Sequence, residues 1–186
     1  MLAELRRSLP AVRALRGGAE AIPLPDASVD AVSAGNALRW FDMTVAGPEI
    51  VRVLAPGGVL AGLWNVVDDR AEWVARLARV GGSAAVGPRD TSTGRRTETA
   101  GAHLPQDGGA ARFGSPEQAG FPHGQRRTAD SLVAALTTRA GMPVMPERER
   151  EATPGRIRAF LANRPETARG EFTLPMLTGV LRVRRL

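Results

Sequence analysis

Three features of the chain predict an α/β fold built on a largely parallel sheet. Two apolar, strand-like runs, Val29 to Ala34 and Val59 to Trp64, are separated by an amphipathic helical stretch, and a second such stretch follows. The Val59 run is apolar almost throughout, as a strand covered on both faces should be. The elements alternate at short spacing, which suits right-handed crossovers between parallel neighbours.

The elements follow in order. Leu2 to Leu9 reads as a short amphipathic helix ended by Pro10, because proline disfavours helical geometry in the residue before it. Ala11 to Leu15 is a candidate strand, broken by Arg16-Gly17-Gly18. Ile22-Pro23-Leu24-Pro25-Asp26 is a proline-pinned loop leading into the Val29 strand. Asp42 can cap a helix, and Pro48 suits the first turn of a helix over Pro48 to Leu54. Pro56-Gly57-Gly58 reads as a tight turn before the apolar strand. Asp68 or Asp69 can cap the next helix, whose Trp73, Val74, Leu77 and Val80 share a face.

From Gly81 to Arg112 apolar residues thin out, and a long, poorly ordered loop is expected. Thr128 can cap a helix with Leu132, Val133 and Leu136 on one face, ended by Gly141 and Pro143. Glu147 to Glu151 alternates acid and base like a solvated helix face. Thr153-Pro154 then reads as the cap and first turn of a helix with Ile157, Phe160 and Leu161 inward. Phe172 to Val183 is a last strand, weakened by Pro175. The expected organisation is an α/β core over residues 1–80, the loop over 81–112, and 113–186 completing the same domain.

Composition narrows the functional classes. With 186 residues and 43% hydrophobic content, one domain with a real core is expected. There is no cysteine, which excludes disulfides and thiolate metal sites, and only His103 and His123 offer imidazole, so no metal site is expected. The net charge of +6 comes from basic residues that are all arginine. They are scattered rather than gathered in a stripe, which reads as GC-rich codon usage, so no nucleic-acid partner is expected. Glu4, Arg6 and Arg7 precede any apolar run, so no signal peptide is expected at this end. No apolar stretch approaches the roughly 20 residues that span a bilayer, so no membrane partner and a cytoplasmic location are expected.

Two runs carry a resemblance to a known family. Gly18-Ala19-Glu20-Ala21-Ile22-Pro23-Leu24-Pro25-Asp26-Ala27-Ser28-Val29-Asp30-Ala31-Val32 is similar to the segment joining the third and fourth strands of class I S-adenosylmethionine-dependent methyltransferases. Arg52-Val53-Leu54-Ala55-Pro56-Gly57-Gly58-Val59-Leu60 resembles their helix-turn-strand leading into the fifth strand, at the family's spacing. Asn36 to Asp42, Phe121 to Ser131 and Glu171 to Arg182 resemble the methyltransferase type 11 branch.

The resemblance implies S-adenosyl-L-methionine as cofactor and a small-molecule methyl acceptor. It implies that Ala19 leaves room for the adenine ring and that Glu20 accepts a hydrogen bond from its amine; otherwise Glu20 is a solvated loop carboxylate. Gly35 and Asn36 would line the methionine side, although Asn36 suits a turn cap equally well. Trp40 would wall the substrate pocket or pack in the core. His123 matches a histidine common in the branch; an exposed hairpin position is its alternative. No catalytic residue is assigned, because the sulfonium methyl is already activated and transfer rests chiefly on orientation.

Family members begin with a strand, a glycine-rich turn, a helix and a second strand, and nothing here matches these. The expected fold is therefore an incomplete doubly wound, Rossmann-like methyltransferase sheet lacking its first two strands, with helices and an antiparallel carboxyl-terminal strand pair. The Val29 strand is expected to form a bare edge and the chain to bind cofactor weakly or not at all. A non-enzymatic remnant or binding module is the alternative function.

Overall fold

The structure, a computed structural model, describes residues 2–96 and 112–186. Its elements are α1 (Leu2–Ser8), β1 (Val29–Gly35), α2 (Met43–Val53), β2 (Leu54–Val67), α3 (Glu72–Ala85), α4 (Ser92–Arg96), β3 (Glu117–Arg127), α5 (Ala129–Thr137), α6 (Glu147–Ala162) and β4 (Phe172–Arg184). Single 3₁₀ turns lie at Leu38–Trp40 and Pro88–Asp90. The strand order is β1-β2-β4-β3. The β1 and β2 strands are parallel, with Ala31 opposite Val59 and Gly35 opposite Leu63.

Side-chain and backbone pairs set the other directions. Arg185 N donates to Gly58 O, Asp68 N to Pro175 O, and Thr178 Oγ1 to Asn65 Oδ1. Residue numbers rise on one strand as they fall on the other, so β2 and β4 are antiparallel. Arg182 pairs with Glu117 and Arg126 with Glu171, which makes β3 and β4 antiparallel too. The expected carboxyl-terminal strand pair is present, and no strand lies beyond β1 among the described residues.

The described residues form two compact units, one of 2–63, 112–118 and 180–186, the other of 64–96 and 119–179. In the first, α2 buries Ala46, Ile50, Val51 and Val53, an apolar face set by helical spacing. In the second, Trp73, Val74 and Leu77 of α3 join Leu132, Val133 and Leu136 of α5, Ile157 and Leu161 of α6, and Phe172 and Leu174 of β4 in one cluster. Trp73 meets Phe172 edge to face, with ring centroids 5.9 Å apart.

Several elements differ from expectation. Ala11 to Leu15 forms no strand, because no neighbouring strand offers it hydrogen bonds; Val12 stays 48% and Leu15 37% exposed. The helix expected from Pro48 begins at Met43, where Asp42 caps it by accepting from Thr44 N at 3.0 Å, and it runs on through Pro48. The Pro56-Gly57-Gly58 turn is absorbed into β2 as an irregularity. There Gly57 takes φ +76°, which favours glycine. A Cβ on Gly58 would lie 2.8 Å from Ala55 O.

The α3 helix has no side-chain cap, because Asp68 and Asp69 turn instead to Arg70 and Ser92. Thr128 caps α5 as expected, accepting from Ser131 N at 3.2 Å. Thr153 starts no helix: it lies inside α6, where its hydroxyl donates to Glu149 O at 2.7 Å. Pro175 lies inside β4, where its carbonyl accepts from Asp68 N at 2.9 Å.

The largest correction concerns 81–112. Residues 81–85 complete α3 after a bend at Gly82 (φ +70°), and Pro88–Asp90 and α4 follow. Ala85, Val86, Thr91 and Ser92 are buried. Small residues order this stretch by letting backbones approach: a Cβ on Gly141 would lie 2.7 Å from Ala84 Cα. Residues 97–111, including His103, lie outside the described residues.

Candidate functional site

Three of the expected site residues, Gly35, Asn36 and Trp40, lie at or just after the end of β1. Parallel pairing with β2 carries β1 to Gly35, and Asn36 N then donates to Leu63 O at 2.8 Å. Asn36 adopts φ +55°, a left-handed bend that asparagine tolerates better than most residues. Gly35 is exposed, and a Cβ there would meet no heavy atom within 4 Å. The bend thus opens a clear backbone surface at the carboxyl end of a parallel strand, where open α/β sheets bind ligands.

The 3₁₀ turn Leu38–Trp40 comes next, with Leu38 buried as its anchor. Trp40 is 70% exposed, so it is not a core residue. The Arg39 guanidinium lies over its ring, with Cζ 4.9 Å from the centroid. Asp42 follows, its carboxylate held below its ordinary pKa by hydrogen bonds from the Thr44 hydroxyl and backbone.

Ala19 and Glu20 occupy the two central positions of a turn closed by Ala21 N donating to Gly18 O at 3.3 Å. Glu20 is exposed, and its Oε2 lies 3.0 Å from where a Cβ on Gly18 would stand. Gly17 is required for space: a Cβ there would lie 2.6 Å from Pro23 Cδ. Gly35, Asn36 and Trp40 therefore share one short stretch, Glu20 stands in an earlier turn of the same unit, and His123 is exposed on β3 in the other unit.

Sequence reasoning missed the device that holds the loop between these two places. Arg52 Nη1 donates to Leu24 O at 2.9 Å and to Asp26 Oδ1 at 2.6 Å, and its Nη2 donates to Ile22 O at 3.0 Å. Glu49, one turn earlier on α2, receives Arg52 Nε at 2.8 Å and Ile22 N at 2.8 Å. These bonds, Arg52 first, lower the Glu49 carboxyl to about 2. The i, i+3 spacing of Glu49 and Arg52 was the available signal; their backbone partners in the Ile22 loop were not readable from spacing.

A second polar cluster lies in the other unit. The fully buried Ser92 hydroxyl faces Asp68 Oδ1 at 2.8 Å and Asp69 Oδ1 at 2.7 Å. Arg70 pairs with Asp68 through Nε and Nη2 and holds it at about 2. Thr93 N donates to Asp69 at 2.9 Å. Every carboxylate here has structural partners, and the cluster ties the end of β2 to α4.

Comparison with known proteins bears on the family and the fold. A methyltransferase-domain family model matches residues 1–62. Uncharacterized methyltransferases of Mycobacterium bovis and Mycobacterium tuberculosis are 34% identical over 183 residues, covering 98% of this chain and 69% of theirs. A solved structure from Anaeromyxobacter dehalogenans, provisionally assigned as a type II methyltransferase, superposes with a TM-score of 0.64 at 26% identity, covering 98% of this chain and 76% of that one. The fold and these relatives define a class I S-adenosylmethionine-dependent methyltransferase. The chain belongs to the methyltransferase-domain family within it.

Proposed function

We propose that the chain contributes to methyl transfer from S-adenosylmethionine to a small molecule, with its cofactor surface at Ala19, Glu20, Gly35 and Asn36. The observation that carries this reading is the open left-handed bend at Gly35 and Asn36, at the carboxyl end of β1. The chemistry of these groups fits one side of the cofactor. Glu20 offers a carboxylate for an amine, Asn36 a side-chain amide, and Gly35 an uncovered backbone. The cofactor, when bound, supplies a methyl group already activated as a sulfonium. The residues of this chain would hold and orient it, with Trp40 walling the acceptor side and keeping out water.

Binding by these 186 residues is expected to be weak, because β1 has no strand on its outer side among the described residues. That free edge also favours a second reading, a non-enzymatic module derived from a methyltransferase. Saturation-transfer NMR with S-adenosylhomocysteine tests the proposal. The expected result is weak, millimolar-range binding that Gly35→Val abolishes. Absence of any transfer would sink the cofactor assignment, and micromolar affinity would sink the weak-binding expectation.

A further inference from the structure

Arg39 stands apart from the ion-paired arginines among the described residues. Its Nε is buried without a hydrogen-bond partner, and its guanidinium rests on the Trp40 ring rather than on a carboxylate. The acid nearest in sequence, Asp42, is committed to Thr44 N at 3.0 Å and Thr44 Oγ1 at 2.6 Å. By contrast, Arg52, Arg70, Arg139 and Arg182 each hold an ion pair. A guanidinium donor without an acceptor is costly, and a bidentate oxyanion is the group that satisfies a guanidinium best. Trp40, 70% exposed, adds a flat apolar surface beside it. Both residues belong to the turn that follows Gly35 and Asn36.

We infer that Arg39 and Trp40 recognise a small organic oxyanion, a carboxylate or phosphate carried on a flat apolar body, and that this is the methyl acceptor. The inference rests on the methyltransferase reading for the word acceptor, but the binding it describes needs no cofactor. An arriving oxyanion would draw the guanidinium off the indole into a two-point pair through Nε and Nη. The apolar body would take its place against the ring. A half-buried guanidinium beside an exposed aromatic face suits such a ligand and not a neutral one.

Trp64 and Trp73 are buried and Trp40 is exposed, so a ligand arriving at the surface changes chiefly the Trp40 fluorescence. The experiment titrates the cofactor-free chain with benzoate, phenyl phosphate and, as neutral isostere, benzamide. A saturable change is expected with one or both anions and none with benzamide; the preferred anion separates carboxylate from phosphate. The change should be absent in Trp40→Phe. Affinity should fall about tenfold or more in Arg39→Gln, and Arg39→Lys should recover only part of it, because lysine keeps the charge without the planar fork. Circular dichroism checks that each variant is folded. An equal response to benzamide, or full affinity in folded Arg39→Gln, would overturn the proposal. A parallel titration with S-adenosylhomocysteine separates the two readings. If Arg39→Gln weakens that ligand and leaves benzoate binding unchanged, Arg39 serves the cofactor and the acceptor assignment is wrong.

Discussion

Around β1 most side chains meet solvent: Asp30, Ala31 and Ser33 are exposed, Val29 and Val32 half-buried, and of its residues Ala34 alone is buried. In the unit of α3, α5 and α6, by contrast, aromatic and aliphatic side chains close into one cluster, and even its polar residues Ser92 and Thr153 are fully buried and bonded. The difference teaches where each kind of work is done. The closed unit draws its stability from apolar burial. The open unit holds its Ile22 to Asp26 loop by polar clamps, Arg52 and Glu49, and β1 has no outer neighbour among the described residues.

The comparison can be broken by paired truncations. Ile157→Ala in the closed unit is expected to cost about 2–5 kcal/mol in denaturant unfolding, whereas Val32→Ala on β1 should cost well under half as much. Equal losses would show that β1 is as well sealed as the cluster. Next in size, Ser92→Ala removes a buried donor shared by two carboxylates and should cost about 1–3 kcal/mol. Unchanged stability would mean that this polar knot contributes nothing to closing its unit.

Arg52→Ala should leave the closed unit intact while loosening the Ile22 to Ser28 loop. Hydrogen exchange is expected to quicken at Ile22, Ala27 and Ser28, whose amides are bonded to α2. Slow exchange at these amides in the variant would remove Arg52 from its clamping role.

Acid should weaken both units by the same physics. Glu49 and Asp68 each titrate at about 2, below their ordinary values of 4.5 and 3.8. Carboxylates depressed on folding stabilise the protein fully above the ordinary value, and lose that contribution as pH falls toward 2. Glu49→Gln and Asp68→Asn should each flatten this acid limb in part. An unchanged limb in both variants would place the acid sensitivity elsewhere.

The smallest effect on stability is expected from Ser33→Lys, an exposed position on β1. It should lower self-association in sedimentation while leaving the unfolding midpoint near wild type, because a charge on an edge strand discourages edge pairing. Unaltered association would show that the edge is not where copies meet.

The residues by themselves determined the alternation of β1, α2, β2 and α3, the caps at Asp42 and Thr128, and the family. Those depend on local periodicity and short-range bonding, which a linear reading contains. The positions of Gly35, Asn36 and Glu20 as site candidates came from the family resemblance, and the bend at Asn36 with its open backbone became visible only in three dimensions. Tertiary structure alone decided four things. It denied Ala11 to Leu15 a strand, because pairing needs a neighbour. It ran α2 and α6 through Pro48 and Pro154, because the packed faces on either side outweigh one lost hydrogen bond. It ordered residues 81–96, because glycine and alanine pack by backbone approach and carry no apolar signature. And it turned Asp68 and Asp69 from helix caps into partners of Ser92 and Arg70, because a carboxylate takes the donors that folding brings to it, and Ser92 is remote from both in the chain.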